Sequence, residues 1–413
     1  MQRSFSLSAV TLLASSLLCG QASAPARLRV AVGEKRVASD NKSREAYNDL
    51  AFALCRLARD TGDIADFQKA ELAADKSLEL SPGNYDARKL LATALIGEHE
   101  YERARSLALE LNHKVPDDIA GWGLLVDVNI AFGNYTDAER AAQWILDLRR
   151  GSTLGFVKAA SLRDIFGDPE GAAEFYDEAS RRTARSDLDE QSWLLVQEAR
   201  QVLALGKPER AEDLLKQATS FFPDSQTALT AFAELRNWQG RYVEAAALRE
   251  RKYQSVSDAG NLYDWAEALD RSGDKQKATT LFQEFEVRAK AAAAKPYNWN
   301  LQLIYYYCDR KPDEVAALQL AEREIKARQD WPRLEAYAWS LYRNGRYAEA
   351  EKELSKVSSI GVQTPEHLCH ASRIAQKTNN LGTVKQNAKK LADAGVRSCP
   401  PESVREVALQ AGR

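Results

Sequence analysis

GRYAEA, at residues 345–350, sets a glycine, a tyrosine and an alanine in a spacing that returns along the chain as GRYVEA at 240–245, GNYTDA at 133–138 and HEYERA at 99–104. The register extends outward from these hexapeptides. Ala104, Ala138 and Ala172 stand 34 residues apart, as do Ala211 and Ala245, with Ala278 33 residues further on. Gly133 and Gly167, Gly206 and Gly240, and Pro82 and Pro116 keep the 34-residue step. A period of this length marks stacked supersecondary units rather than a site used once. Within each period apolar residues recur at helical spacing in two runs, as in Leu90, Leu91, Ala94 and Leu95, then Tyr101, Ala104, Leu107, Ala108 and Leu111. Each unit is therefore a helical hairpin. The glycine or its polar substitute falls between the runs, and Pro or Pro-Asp follows the second, where it ends the helix. The recurring alanine lets two helices approach closely, and the tyrosine before it fills the gap beside them.

The 34-residue step, the G-x-Y-x-x-A core, Trp122 with Leu125 in one first helix, and the closing prolines Pro82, Pro116 and Pro223 resemble the tetratricopeptide repeat. The resemblance runs from about Ser43 to Ala394, with departures. Ala92, Ala160, Ala233 and Ala338 stand where the family often has glycine in the first helix, Pro169 and Pro208 replace the tyrosine, and Val384 replaces the alanine. It implies an all-α, right-handed superhelical solenoid. Ten hairpins follow from second-helix anchors at Ala70, Ala104, Ala138, Ala172, Ala211, Ala245, Ala278, Ala316 or Ala317, Ala350 and Val384. Two steps are stretched. From Ala172 to Ala211 is 39 residues, with RRTARSDLDEQ as a longer loop, and from Ala278 to Ala316 is 38, with RAKAAAAKPYN as an extended helix end. They divide the array into repeats 1–4 (43–185), 5–7 (186–295) and 8–10 (296–395). Residues 27–42 are expected as an N-terminal linker. Residues 396–413, with PPESVREVALQ, are expected as a capping helix that makes the open end soluble.

Residues 1–26, MQRSFSLSAVTLLASSLLCGQASAPA, read as a signal peptide: an early Arg3, an apolar stretch from about Leu7 to Leu18, and small residues at Ala24 and Ala26 for cleavage. The apolar run falls short of the ~20 residues of a transmembrane span. Leu18 precedes Cys19 where a lipid-modified cysteine needs a small neighbour. The mature chain is expected to be exported, periplasmic or secreted, with no membrane span. Lys plus Arg (57) nearly balances Asp plus Glu (59), so no global field gathers nucleic acid or an anionic membrane.

Fragments that imitate catalytic motifs fail on their partners. Asp60-Thr61-Gly62 spells the aspartic-protease triplet, but that chemistry needs a second carboxylate on a β scaffold, so a hairpin turn is expected. His99-Glu100 opens like a zincin helix, yet Arg103 stands where the second histidine belongs. No phosphate loop, dinucleotide glycine motif or G-x-S-x-G elbow occurs, so neither catalytic residues nor a cofactor are expected. EHLCH at 366–370 is different. His367 and His370 share a helical face beside Cys369, a set that can ligate zinc or copper. In a hairpin the start of the first helix lies near the end of the second, which brings Cys369 towards Cys399; in an exported protein the two can oxidise to a disulfide. Disulfide, two free thiols and metal ligation all stand open, in that order. Cys55 and Cys308 are expected in the core.

The inner face of such a superhelix is lined mainly by first helices. Removing packing positions leaves Arg200, Asn237, Trp238, Tyr263, Glu267, Tyr305, Trp339, Tyr342, Arg343 and Arg373 as candidate partner-binding residues. Aromatics with Arg and Asn anchor interfaces, although Trp and Tyr at helical spacing are more often core. The Lys/Asn/Arg groups with which some tetratricopeptide proteins clamp a C-terminal carboxylate are not recognisable. The expectation is a non-catalytic extracytoplasmic scaffold that binds a protein or peptide in its concave groove. The alternative is a metal- or glycan-binding envelope protein that uses His367, Cys369 and His370 or the aromatic groove.

Overall fold

One turn chemistry repeats throughout the array. After the first helix of a hairpin, one residue takes the left-handed conformation and the next N–H reaches back five residues to a helix carbonyl: Asn134 to Asn129, Asp168 to Arg163, Lys207 to Val202, Arg241 to Arg236 and Arg346 to Leu341. This is the Schellman closure, which satisfies carbonyls that a helix end leaves orphaned. Glycine supplies the left-handed residue at 133, 167, 206, 240 and 345, while His99 (φ 66°) and Asn379 (φ 60°) serve in two hairpins without it. The opposite end of each hairpin uses side chains. Ser43, Asn84, Asp118, Ser152, Ser225, Asp258, Asp330 and Thr364 each accept an N–H from the first turn of the following helix, an interaction worth about 1 kcal/mol per cap.

The computed structural model describes residues 25–223, 225–293, 301–393 and Cys399. Among them are 21 α-helices and no strand. Helix α1 (Pro25–Ser39) precedes ten hairpins: α2 (Arg44–Thr61) with α3 (Ile64–Leu80), α4 (Tyr85–Gly97) with α5 (Tyr101–Lys114), α6 (Ile119–Ala131) with α7 (Tyr135–Leu148), α8 (Thr153–Ile165) with α9 (Pro169–Arg182), α10 (Leu188–Ala204) with α11 (Pro208–Phe221), α12 (Gln226–Trp238) with α13 (Tyr242–Ser255), α14 (Ala259–Ser272) with α15 (Lys275–Ala293), α16 (Leu301–Tyr305) with α17 (Glu314–Ala327), α18 (Trp331–Arg343) with α19 (Tyr347–Ile360), and α20 (Pro365–Lys377) with α21 (Leu381–Asp393). The fold is the tetratricopeptide-type solenoid. The anchors at Ala70, Ala104, Ala138, Ala172, Ala211, Ala245, Ala278 and Ala350 are buried, as is Ala317, which takes the eighth position from Ala316. Val384 is only half-buried.

Two features differ from the sequence expectation. The segment expected as a linker, 27–42, is mostly α1, because Val30 packs beside Leu50 and Gly33 lets the two helices approach: a Cβ there would stand 3.1 Å from the Leu50 Cα. In the eighth hairpin, α16 continues as a π-helical turn, Tyr306–Arg310, which alters the direction of the residues that follow. Residues 1–24 of the expected signal peptide, and all of the expected cap except 399, lie outside the described residues.

The superhelix is wound tightly enough for successive turns to touch. Hairpin turns of the first four repeats meet the loops between later repeats. The Trp331 N–H donates to the Tyr135 hydroxyl, 196 residues away, at 2.9 Å. The Arg328 guanidinium lies 4.6 Å from the Tyr101 ring centroid. Asp60, in the turn that spells Asp-Thr-Gly, accepts from the Ser225 hydroxyl at 2.8 Å and the Thr227 hydroxyl at 3.0 Å, and so braces the start of α12 from 165 residues upstream. Arg56 reaches Asp187 and Asp189 at 2.8 Å, and Arg59 reaches Glu190 at 2.6 Å. At the centre of this seam the backbones themselves meet: a Cβ on Gly133 would stand 2.6 Å from the Gln329 carbonyl oxygen, and one on Gly167 would overlap that of Gly361.

The turn glycines therefore fall into two classes. Gly345 has φ 75° and nothing within 4 Å of an added Cβ, so Gly345→Ala meets only the left-handed penalty of about 1–2 kcal/mol. Gly167 has φ 71° and must also pass the Gly361 carbonyl. Chemical denaturation should show Gly167→Ala losing at least about twice the stability that Gly345→Ala loses. Small-angle scattering should show an increased radius of gyration for Gly167→Ala alone. Equal losses with unchanged radii would contradict the seam.

Candidate partner-binding groove

The first helices α14, α16, α18 and α20 stand side by side, so residues about one repeat apart become neighbours on the inner face. Arg200 meets Glu234 at 3.1 Å. Glu335 bonds the His370 Nδ1 at 2.9 Å, and the Arg373 guanidinium lies 5.9 Å from the Trp339 ring centroid. The Trp339 Nε1–H donates to both oxygens of Asp309, at 3.0 and 3.2 Å. Arg310 binds Glu267 and Asp270, each at 2.7 Å. The rings form a pile: Trp339 stacks on Tyr342 at 4.7 Å and on His370 at 4.1 Å, and His370 stacks on Tyr305 at 6.1 Å.

This row is electrostatically uneven. Burial would push the Glu335 carboxyl up, but hydrogen bonds from His367 and His370 outweigh it and hold the group down at about 2. Burial opposes a charge on His370, and the bond to Glu335 with the negative charges of Glu335, Glu366 and Asp309 overcomes it, so the imidazole titrates above its ordinary range. Burial pushes Asp309 up to about 6 against the charge of His370, the Trp339 N–H and the charge of Arg343. Glu366 is also raised by burial, with His370 opposing.

The sequence candidates separate on this geometry. Trp238, at the end of α12, is 46% exposed, and the neighbouring Asn237 has a buried Oδ1 with no hydrogen-bond partner. Arg200 and Glu267 line the face within ion pairs, Tyr305 is half-buried, and Tyr263 packs on Phe282 and Phe285 with its hydroxyl pushed well up by burial. Arg343 bears on Asp309, and Arg373 covers Trp339. Trp339 and Tyr342 differ from the expectation of accessible anchors, at 1% and 4% exposure. Their faces are spent on each other, on His370 and on Arg373. Sequence reasoning missed Asp309, Glu335 and Glu366, though chemical complementarity at the repeat period, as between Glu335 and His370, was there to be read.

The EHLCH segment is divided between two structures. Cys369 is joined to Cys399 with an S–S distance of 2.04 Å, while His367 and His370 face Glu335. Among the described residues no group of three or more His, Cys, Asp or Glu is arranged to hold a metal ion. The Ser358 hydroxyl lies 3.1 Å from the His367 Nε2, an approach that resembles a nucleophile with its base. The relay is broken at the next link, because Glu335 stands 3.6 Å from the His367 Nδ1, beyond hydrogen-bond reach.

The Glu335–His370 pair gives a signed pH dependence. The raised His370 contributes stability that is present below pH 6.5 and is lost as pH rises through its folded value. The depressed Glu335 contributes above pH 4.5 and is lost as pH falls towards 2. His370→Asn should therefore cost more stability at pH 6 than at pH 9, by about 1 kcal/mol or more. A loss independent of pH would contradict a charged pair.

Residues 65–128 match the family model of the tetratricopeptide repeat. No curated protein matches the chain. Among solved structures, the APC/C Cut9–Hcn1 hetero-tetramer aligns with 86% of this chain at 15% identity and TM-score 0.50; the aligned region spans 60% of that chain's length. The human IFIT1 dimer with PPP-AAAA aligns over 88% of this chain and 94% of its own at 13% identity and TM-score 0.48. Yeast Tom70 aligns over 92% and 90% at 14% identity and TM-score 0.42. With its 34-residue period, its Schellman-closed hairpins, the matched segment and the shared fold, the chain is a tetratricopeptide-repeat protein.

Proposed function

We propose that the protein is a non-catalytic extracytoplasmic scaffold that holds a protein or peptide partner along the concave face of its solenoid. The observation that carries this reading is the extent of the array. The described helices from α2 to α21 make up ten consecutive hairpins, and the inner face they share is lined by paired charges and aromatic rings. Such a face offers length and hydrogen-bonding groups rather than a closed reaction chamber, which suits recognition of an extended chain or a protein surface. The anchors on this reading are Trp238 and Asn237, with Arg200, Glu267, Arg343 and Arg373 as polar contacts that fix register. Trp238 combines exposed apolar area with an indole N–H, and the Asn237 Oδ1 is an acceptor that a partner's N–H can satisfy.

Export is supported by the apolar N-terminal segment and by the cysteines. A disulfide between Cys369 and Cys399 belongs to an oxidising compartment. Cys55 and Cys308 are buried, and burial pushes the Cys55 thiol up to about 12 and Cys308 well above its ordinary value, which keeps both protonated and unreactive there.

Two measurements test these parts separately. Thiol titration of the protein cleaved after residue 26 should find no reactive thiol in the native state, two after denaturation and four after reduction; four without reductant would remove the cysteine argument for export. Crosslinking in the native envelope should recover a partner with wild-type bait and lose it with Trp238→Ala/Asn237→Ala, a double variant expected to unfold within a few degrees of wild type. Recovery of the same proteins by both would exclude this part of the groove.

A further inference from the structure

On the second-helix side of the last two hairpins, between α19, α20 and α21, lies a cavity of about 320 Å³. It belongs to none of the groove contacts described above. Its floor is apolar, formed by Leu354, Val362, Leu368 and Ile374, and the wall towards α21 carries Asn387 and Lys390. Those two residues are three apart on one helix and so share a face.

Asn387 is 94% buried, with 6% relative exposure, and its Nδ2 has no hydrogen-bond partner. A buried amide donor left unpaired is costly, and buried polar groups in native proteins are nearly always satisfied. Lys390, beside it, makes no ion pair among the described residues. Across the cavity Glu351 accepts from the Asn380 amide at 3.0 Å, and the Ser358 hydroxyl and the His367 Nε2 satisfy each other. The unspent hydrogen-bonding capacity and positive charge are therefore on the α21 wall, above an apolar floor.

We propose that this cavity binds an apolar group carrying a carboxylate, with the hydrocarbon on Leu354, Val362, Leu368 and Ile374 and the carboxylate taking the Asn387 N–H and the Lys390 charge. The volume fits a body of roughly eight carbons, at the lower end of ligand-pocket sizes. The carboxylate belongs either to a free amphipathic acid or to the C-terminal residue of a peptide. This inference is independent of the groove reading.

The test is titration calorimetry of the intact protein with octanoate, with 1-octanol as the uncharged counterpart, and with a leucine-terminated tripeptide in free-acid and C-terminally amidated forms. Octanoate should bind with a Kd on the order of 1 mM or tighter, as its size allows, and 1-octanol about tenfold more weakly. The half-exposed Lys390→Glu should weaken octanoate by about tenfold or more with the fold intact. Asn387→Asp, which keeps the shape and adds a repelling charge, should do the same. Tighter binding of the free-acid tripeptide, lost on amidation, assigns the carboxylate to a peptide terminus; binding of octanoate alone assigns it to a free acid. Equal binding of octanoate and 1-octanol, no effect of Lys390→Glu, or no saturation of octanoate or the free-acid tripeptide at about 10 mM would each overturn the proposal.

Discussion

The carbonyl oxygens of Gln329 and Gly361 press against the turns at Gly133 and Gly167, and no side chain fits between them. This contact between successive superhelical turns constrains everything else in the molecule. A solenoid whose repeats touch only their neighbours derives its stability from nearest-neighbour terms and bends easily. Here the hydrogen bond from Trp331 to Tyr135, the bracing of α12 by Asp60, and the clasp of Arg56 and Arg59 on Asp187, Asp189 and Glu190 add long-range terms. Closing loops of 131 to 196 residues is entropically costly, and it is offset by a seam that combines hydrogen bonds, ion pairs and close backbone packing. His99 shows how dry the seam is: burial, and then the charges of Arg328 and Arg333, lower its imidazole to about 3.

Closure also shapes the inner face. With the two halves held together, α14, α16, α18 and α20 present a fixed row in which Glu335 grips His370, Asp309 holds the Trp339 indole, and Arg310 ties Glu267 to Asp270. The row is preorganised, so a partner that meets it loses little side-chain freedom on the protein's side. The exposed Trp238 and the unsatisfied Asn237 Oδ1 stand on α12, the helix that Asp60 braces across the seam. Seam and groove are thus coupled through one helix end.

The local half of this architecture was legible in the sequence because its causes are local. A glycine or a small polar residue at the turn, an alanine where helices meet and a Ser, Asp, Asn or Thr cap each act within a few residues, and their 34-residue recurrence located the hairpins. The eighth anchor fell to Ala317 over Ala316 only with the packing known. The seam was not legible, since its partners are 131 to 196 residues apart and follow no period. Asp60-Thr61-Gly62 reads correctly as a turn, yet nothing beside it announces that the carboxylate serves a helix in the sixth hairpin. Trp339 and Trp238 lie on first helices alike; which one faces solvent depends on how closely neighbouring hairpins pile, with His370 covering the first. The helical character of 25–39 was missed because the segment lacks the repeat signature and owes its place to Leu50 and to Gly33.

The central claim is that the superhelix closes on itself, and an intramolecular distance tests it most directly. Spin labels at Thr136 and Lys326, exposed positions on either side of the Tyr135–Trp331 contact, read the separation of the two turns in solution; Cys55 and Cys308 are buried and Cys369 is bonded to Cys399, so the labels go where they are directed. The account predicts a single short, narrow distance that lengthens in Gly167→Ala. A broad distribution reaching the long distances of an open solenoid in the unaltered protein would contradict it.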